Sequence, residues 1–203
     1  YDVNCNGGND GKASVAVTGG TTTYSYSWAP SGGSSDTAKG LVAGVYTVTV
    51  TDNQGCVDTE AITVSEPAAP LSLTTTQTNV SCKDGTDGEA IVTPADGTSG
   101  YTYLWSNGDT DSTAENLIAG NYTVVVTDSK GCLANTAVTI TEPTQLVSAL
   151  TDTTHVSCNG GSDGAATVGT TGGTSAYTYA WTPSGGTGTT ESGLVAGTYI
   201  VTT

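Results

Sequence analysis

The sequence is 203 residues long, and its four Lys, with no Arg, face nineteen Asp and Glu to give a net charge of -15 at pH 7. That balance excludes nucleic acid as a partner, because phosphates need a basic surface, whereas an acidic, Thr-rich surface serves solubility and also attracts cations. No apolar run reaches the length of a membrane span, and with no Phe and no Met any core is small enough to need a staple.

Self-similarity sets the domain count. Cys5, Cys82 and Cys158 are spaced by 77 and 76 residues, and Trp28, Trp105 and Trp181 keep the same spacing. Cys56 and Cys132 lie 76 apart, as do the pairs Glu66-Pro67 and Glu142-Pro143. Three copies of one module follow. Residues 1–67 lack a counterpart of the apolar lead-in Leu71–Thr75, residues 68–143 are complete, and residues 144–203 stop before their second Cys. A chain that opens inside a repeat and stops inside a strand reads as a fragment of a longer protein.

In chain order, Asn6–Gly11 is a turn by composition. Lys12 to Thr18 then alternates, with Ala13, Val15 and Val17 on one face. Tyr24, Tyr26 and Trp28 stand at i, i+2 and i+4 and share a strand face, as do Tyr101, Tyr103, Trp105 and Tyr177, Tyr179, Trp181. The stretch Leu41–Cys56, LVAGVYTVTVTDNQGC, alternates Tyr46, Val48 and Val50 with Thr and then turns at Asp52–Gly55, where the Gly suits the left-handed position of a hairpin. It returns at Leu117–Cys132 and begins again at Leu194. A further strand carries Ile62 and Val64 on one face and ends at Pro67.

No stretch is helical in period, and strand and turn signals recur throughout, which predicts an all-β fold: tandem immunoglobulin-like β-sandwich modules of about seven strands each. Short Pro-containing junctions should hold the modules end to end as a rod, at roughly 30 Å per module. Trp28, Trp105 and Trp181 are the expected core between the sheets, and Tyr46, Tyr122 and Tyr199 take the corner position from which a Tyr bonds back to nearby backbone.

The repeat accounts for the odd cysteine count by pairing within each copy. Cys5–Cys56 and Cys82–Cys132 would each close a loop of about fifty residues, worth roughly 4 kcal/mol, and the partner of Cys158 would lie beyond the chain. Disulfides place the protein in an oxidising compartment, extracellular or periplasmic. A zinc site is not indicated, since there is no CxxC and only one His.

Three features invite ligands, each with a plainer reading beside it. Asp10, Asp87 and Asp163 sit on Gly-rich loops that could offer oxygens to calcium, the one cofactor the sequence suggests, but Asp-Gly is equally ordinary turn chemistry. The rings of Tyr24, Tyr26, Tyr101, Tyr103, Tyr177 and Tyr179 could stack on sugars or fill the core. No GxSxG, HExxH or phosphate-cradling motif occurs, His155 is replaced by Asn79 at the matching position, and Asp109 and Asp111 do not recur, so catalysis is not expected.

The order VSCNGGSDG (Val156–Gly164), YTYAW (Tyr177–Trp181), LVAGTY (Leu194–Tyr199), VTDSKGC (Val126–Cys132) and ITEP (Ile140–Pro143) resembles the SprB repeat. Such repeats occur in very large surface adhesins of gliding Bacteroidota, and the resemblance covers essentially the whole chain. It implies type IX secretion, an extracellular cell-surface location and a structural or adhesive role in filaments, with neighbouring repeats, surface polysaccharide or other filament chains as partners. Related repeats in other secreted proteins imply an alternative, carbohydrate-binding or spacer modules of a secreted hydrolase. The absent lead-in of the first copy leaves room for strand exchange between chains.

Overall fold

A computed structural model describes residues 1–203 and shows an all-β chain of sixteen strands with no helix. The first copy contains β1 (Gly11–Ser14), β2 (Ser25–Ala29), β3 (Thr37–Leu41), β4 (Gly44–Thr51) and β5 (Val57–Val64). They form two sheets, β1-β3 and β2-β4-β5. Ala13, Ala38 and Leu41 from the first sheet and Trp28, Tyr46, Val48, Val50 and Val64 from the second join Val3 in one buried cluster, so the two sheets face each other across a shared core. This is an immunoglobulin-like sandwich in miniature.

The alternation in β4 explains why the sheet forms. Tyr46, Val48 and Val50 are buried while the intervening threonines are half-buried on the other face. Pairing of β2 with β4 sets Trp28 opposite Val48 and Tyr26 opposite Val50, aromatic against β-branched. β5 pairs with the far edge of β4 and buries only Val64, and Ile62 is exposed.

The second copy repeats the scheme with β6 (Ser72–Thr78), β7 (Gly88–Ala95), β8 (Thr102–Trp105), β9 (Thr113–Leu117), β10 (Gly120–Thr127) and β11 (Leu133–Ile140). Its sheets are β6-β7-β9 and β8-β10-β11. It has six strands rather than seven, because the stretch between Trp105 and Leu117 supplies only β9. The third copy contains β12 (Val147–Thr154), β13 (Gly164–Thr171), β14 (Ala180–Thr182), β15 (Thr190–Leu194) and β16 (Ile200–Thr202), in sheets β12-β13-β15 and β14-β16. Two compact units can be distinguished, one of Tyr1–Thr76, Ile91–Thr113 and Tyr122–Ala137, the other of Gln77–Ala90, Ala114–Asn121 and Val138–Thr203. Their boundary passes through β6, β7, β9, β10 and β11.

β1 is half the length of β7 and β13. β7 and β13 are each flanked on both sides, whereas β1 pairs with β3 alone. Without an outer partner the alternation of Lys12 to Thr18 yields a strand only as far as Ser14, and Val15 and Val17 instead line an open groove with Tyr24, Val50 and Val57.

The Gly of each Asp-Gly pair is required by close approach. A Cβ on Gly88 would lie 2.7 Å from Leu117 O and 2.9 Å from Ile140 Cγ2, and Gly11 and Gly164 meet Leu41 O and Leu194 O at 2.7 and 2.9 Å. Gly88→Ala should therefore cost about 2 kcal/mol in denaturant unfolding, the usual scale of overpacking. An unchanged midpoint would mean that β7 and β9 part freely at this point.

Candidate functional site

The cysteines occupy two recurring structures. The first is a turn. Gly8 N donates to Cys5 O at 2.9 Å, the Asp10 carboxylate accepts Asn4 N at 3.0 Å and also Asn4 Nδ2, and Glu66 accepts Gly7 N. The same contacts recur at Cys82, where Gly85 N donates to Cys82 O at 3.1 Å, Ser81 N to Asp87 at 3.0 Å and Asp84 N to Glu142 at 2.8 Å. At Cys158, Gly161 N donates to Cys158 O and Ser157 N to Asp163, both at 2.9 Å. Lys83 adds an ion pair to Glu142 at 2.7 Å.

The second structure is the hairpin. Asp52 accepts Gln54 N, Cys56 N and Thr21 N, each at 2.9 Å, and its own N–H returns to Cys56 O at 3.0 Å. Asp128 repeats this with Lys130 N, Cys132 N and Thr98 N at 2.8 to 2.9 Å, and Asp128 N donates to Cys132 O at 3.0 Å. Gly55 and Gly131, just before each Cys, take φ of 82° and 86°, the left-handed region that Gly enters without strain.

The disulfide joins one structure to the other across copies. Cys5 is bonded to Cys132, with Cα atoms 5.6 Å apart, while Cys56, Cys82 and Cys158 are free and exposed. The expected pairings Cys5–Cys56 and Cys82–Cys132 are therefore corrected, and strand length is the reason. Val3 N donates to Ser65 O and Ser65 N to Asp2, which fixes the Cys5 turn beside the C-terminal end of β5. Cys56 precedes β5, whose eight residues span about 27 Å at strand rise. A bridge needs Cα atoms within about 7 Å. In the second copy Val80 N donates to Thr141 O just past β11, while Cys132 precedes that strand.

These carboxylates make the poles acid-sensitive. Backbone N–H bonds hold Asp10 and Asp52 below the ordinary value of 3.8, and the Ser81 and Ser157 hydroxyls and N–H groups do the same for Asp87 and Asp163. Burial pushes Asp128 up, but four backbone N–H groups outweigh it and the net shift is down; Lys83 lowers Glu142. A carboxyl whose folded pKa is depressed stabilises the fold above its unfolded pKa and loses that contribution as pH falls through the folded value. Melting temperature should be flat from neutral pH to about 5 and fall steeply below about 4. A fall already complete at pH 5 would contradict these clamps.

Asp10, Asp87 and Asp163 accept the backbone N–H of Asn4, Ser81 and Ser157, and no three His, Cys, Asp or Glu are placed together so that they could hold a metal ion. Calorimetric titration with calcium is expected to give no saturable heat; a binding isotherm abolished by Asp87→Asn would instead assign a cation to the turn. His155 is exposed, and the Asp111 backbone carbonyl accepts Trp105 Nε1.

All three Trp are buried, and each indole N–H is bonded to a carbonyl: Trp28 to Ser35, Trp105 to Asp111 and Trp181 to Gly188, at 2.8 to 2.9 Å. The tyrosines beside them are half-buried. Tyr24, Tyr101 and Tyr177 donate their hydroxyls to the carbonyls of Gly19, Asp96 and Gly172, and Tyr24 and Tyr26 pack on the first core. Tyr26, Tyr103 and Tyr179 likewise present only part of each ring to solvent. The corner tyrosines Tyr46 and Tyr199 donate to Val42 O and Val195 O at 3.1 Å, and Tyr122 occupies the same position in the second copy.

Sequence reading missed the role of Glu66 and Glu142, which reach back to the cysteine turn. Their recurrence at the cysteine period was the available signal.

These features define a class: tandem all-β sandwich repeats with recurring cysteine turns and hairpins, the first and second copies being joined by one disulfide. The SprB repeat model matches residues 1–33, 74–110 and 150–186, just over half of the sequence, each segment carrying one turn cysteine and one Tyr-x-Tyr-x-Trp strand. The chain belongs to the SprB repeat family. Among solved structures, the amphioxus IgVJ-C2 molecule is similar at a TM-score of 0.32 and 13% identity, over 66% of this chain and 97% of that one. Comparison with curated proteins gives no match.

Proposed function

We propose that this chain is a structural segment of a large extracellular surface protein, a stalk or filament whose repeats hold adhesive surfaces away from the cell. The observation that carries this reading is the Cys5–Cys132 bond, because fastening one repeat to the next is useful where a chain is pulled and exposed, and it requires an oxidising compartment. Membership of the SprB family supports a cell-surface location, and export by the type IX route and a part in gliding belong to the same proposal. The segment performs no catalysis in this reading.

A glycan array probed with the purified, oxidised chain tests it. A stalk segment binds nothing above background. Sugar binding that disappears in Tyr103→Ala and Tyr179→Ala would replace the stalk with a carbohydrate-binding module. Protease treatment of intact cells supplies the second arm, since a surface segment is cleaved without lysis and an internal one is not.

A further inference from the structure

The single bond between Cys5 and Cys132 leaves three exposed cysteines whose surroundings copy those of the bonded pair. Cys82 and Cys158 sit in the same clamped turn as Cys5, with the Gly N–H on the cysteine carbonyl and the Asp carboxylate on the preceding N–H. Cys56 sits in the same Asp-held hairpin as Cys132. We propose that these three thiols are half-sites of one repeating joint: each turn cysteine bonds the hairpin cysteine of an adjoining SprB repeat, so that Cys82 and Cys158 take hairpin partners and Cys56 takes a turn partner.

A second observation, at a different junction, points the same way. Around the formed bond, Cys132 Sγ lies 3.4 Å from Asn4 O, and the loop tied to its hairpin through Thr98 borders the same cleft as Asn4. Thr174 is the counterpart of Thr98 in the third copy, and its hydroxyl donates to Ser81 O at 3.4 Å. Ser81 is the counterpart of Asn4, the residue immediately before the turn cysteine. The loop that accompanies a hairpin in the formed joint is thus already seated beside Cys82.

Charge favours the mixed joint over two like ones. The turn at Cys5 gathers Asp2, Asp10 and Glu66 against the single Lys12 on its side of the cleft, and the hairpin side contributes Thr98 and Lys130. Two turns brought together would oppose their carboxylates.

Bond formation proceeds by exchange with a low-molecular-weight disulfide such as oxidised glutathione. One cysteine thiolate attacks the disulfide and expels a glutathione thiolate. The partner thiolate then attacks the mixed disulfide and expels the second. Two electrons pass from the protein to the oxidant, the two cysteine protons pass to solvent or to the released thiolates, and the oxidant leaves as two thiols.

The test uses the 203-residue chain, in which Cys56 of one copy can meet Cys82 or Cys158 of another. The protein is incubated in glutathione redox buffer, resolved without reductant and peptide-mapped. The expected products are linked chains joined by Cys56–Cys158 and Cys56–Cys82 peptides, reduced at least tenfold in Cys56→Ser and in the Cys82→Ser/Cys158→Ser double variant. An unchanged melting curve for Cys56→Ser shows that the loss is not misfolding. Linked chains persisting in Cys56→Ser, a Cys5–Cys56 peptide within one chain, or three thiols still free after oxidation would each overturn the proposal.

Discussion

Cys132→Ser is expected to lower the unfolding free energy by roughly 5 kcal/mol, the chain-entropy value for a bridge closing more than a hundred residues. The bond in question spans a sequence separation of 127. Dithiothreitol should reproduce the loss in the wild-type chain and have no further effect on Cys132→Ser. Cys56→Ser and Cys82→Ser, which touch only free thiols, should leave stability unchanged in the monomer. Denaturant melts of the three variants with and without reductant settle the pairing, because bonds within each copy would make Cys56→Ser as damaging as Cys132→Ser.

Trp105→Ala should cost about 4 kcal/mol, the usual cost of emptying an indole-sized core site. Trp105 is 2% exposed and its Nε1 satisfies Asp111 O at 2.9 Å, so the alanine leaves both a cavity and an unpaired carbonyl. Trp105→Phe should recover part of the packing and none of the hydrogen bond. Tyr103→Ala, at a half-buried position on the same face, should lose far less. If the tyrosine variant proved the more damaging of the two, the indole would not be the centre of that core.

Much of the fold was legible because period-two alternation states directly which side chains face inward. Tyr46, Val48 and Val50 announce β4, and the Gly before each hairpin Cys announces the left-handed turn. The cysteine pairing was not legible by the same route. A repeat shows which cysteines are equivalent, but a 76-residue period is satisfied equally by bonds within copies and between them. What decides is length: an eight-residue strand separates Cys56 from the Glu66-Pro67 junction, and the turn at Cys5 is tied to that junction by Glu66 and Pro67. The alternation that marked β5 as a strand already held that constraint. The Asp-Gly turns were legible as turns, but not in what holds them. Composition shows oxygens on a flexible loop, whereas the destination of those oxygens, the N–H six residues earlier, exists only once the turn is folded.

The Cys5–Cys132 bridge also reroutes mechanical load. Tension drawn between Tyr1 and Thr203 enters the bridge at Cys5 and leaves at Cys132, so β1 through β10 hang outside the stretched path. Extending a separation of 127 residues would release roughly 400 Å of slack at full chain extension, and the bond withholds nearly all of it. Under oxidising conditions the chain between Cys5 and Cys132 cannot lengthen under load, only the residues after Cys132 can be drawn out, and reduction adds the bridged stretch to the extensible length.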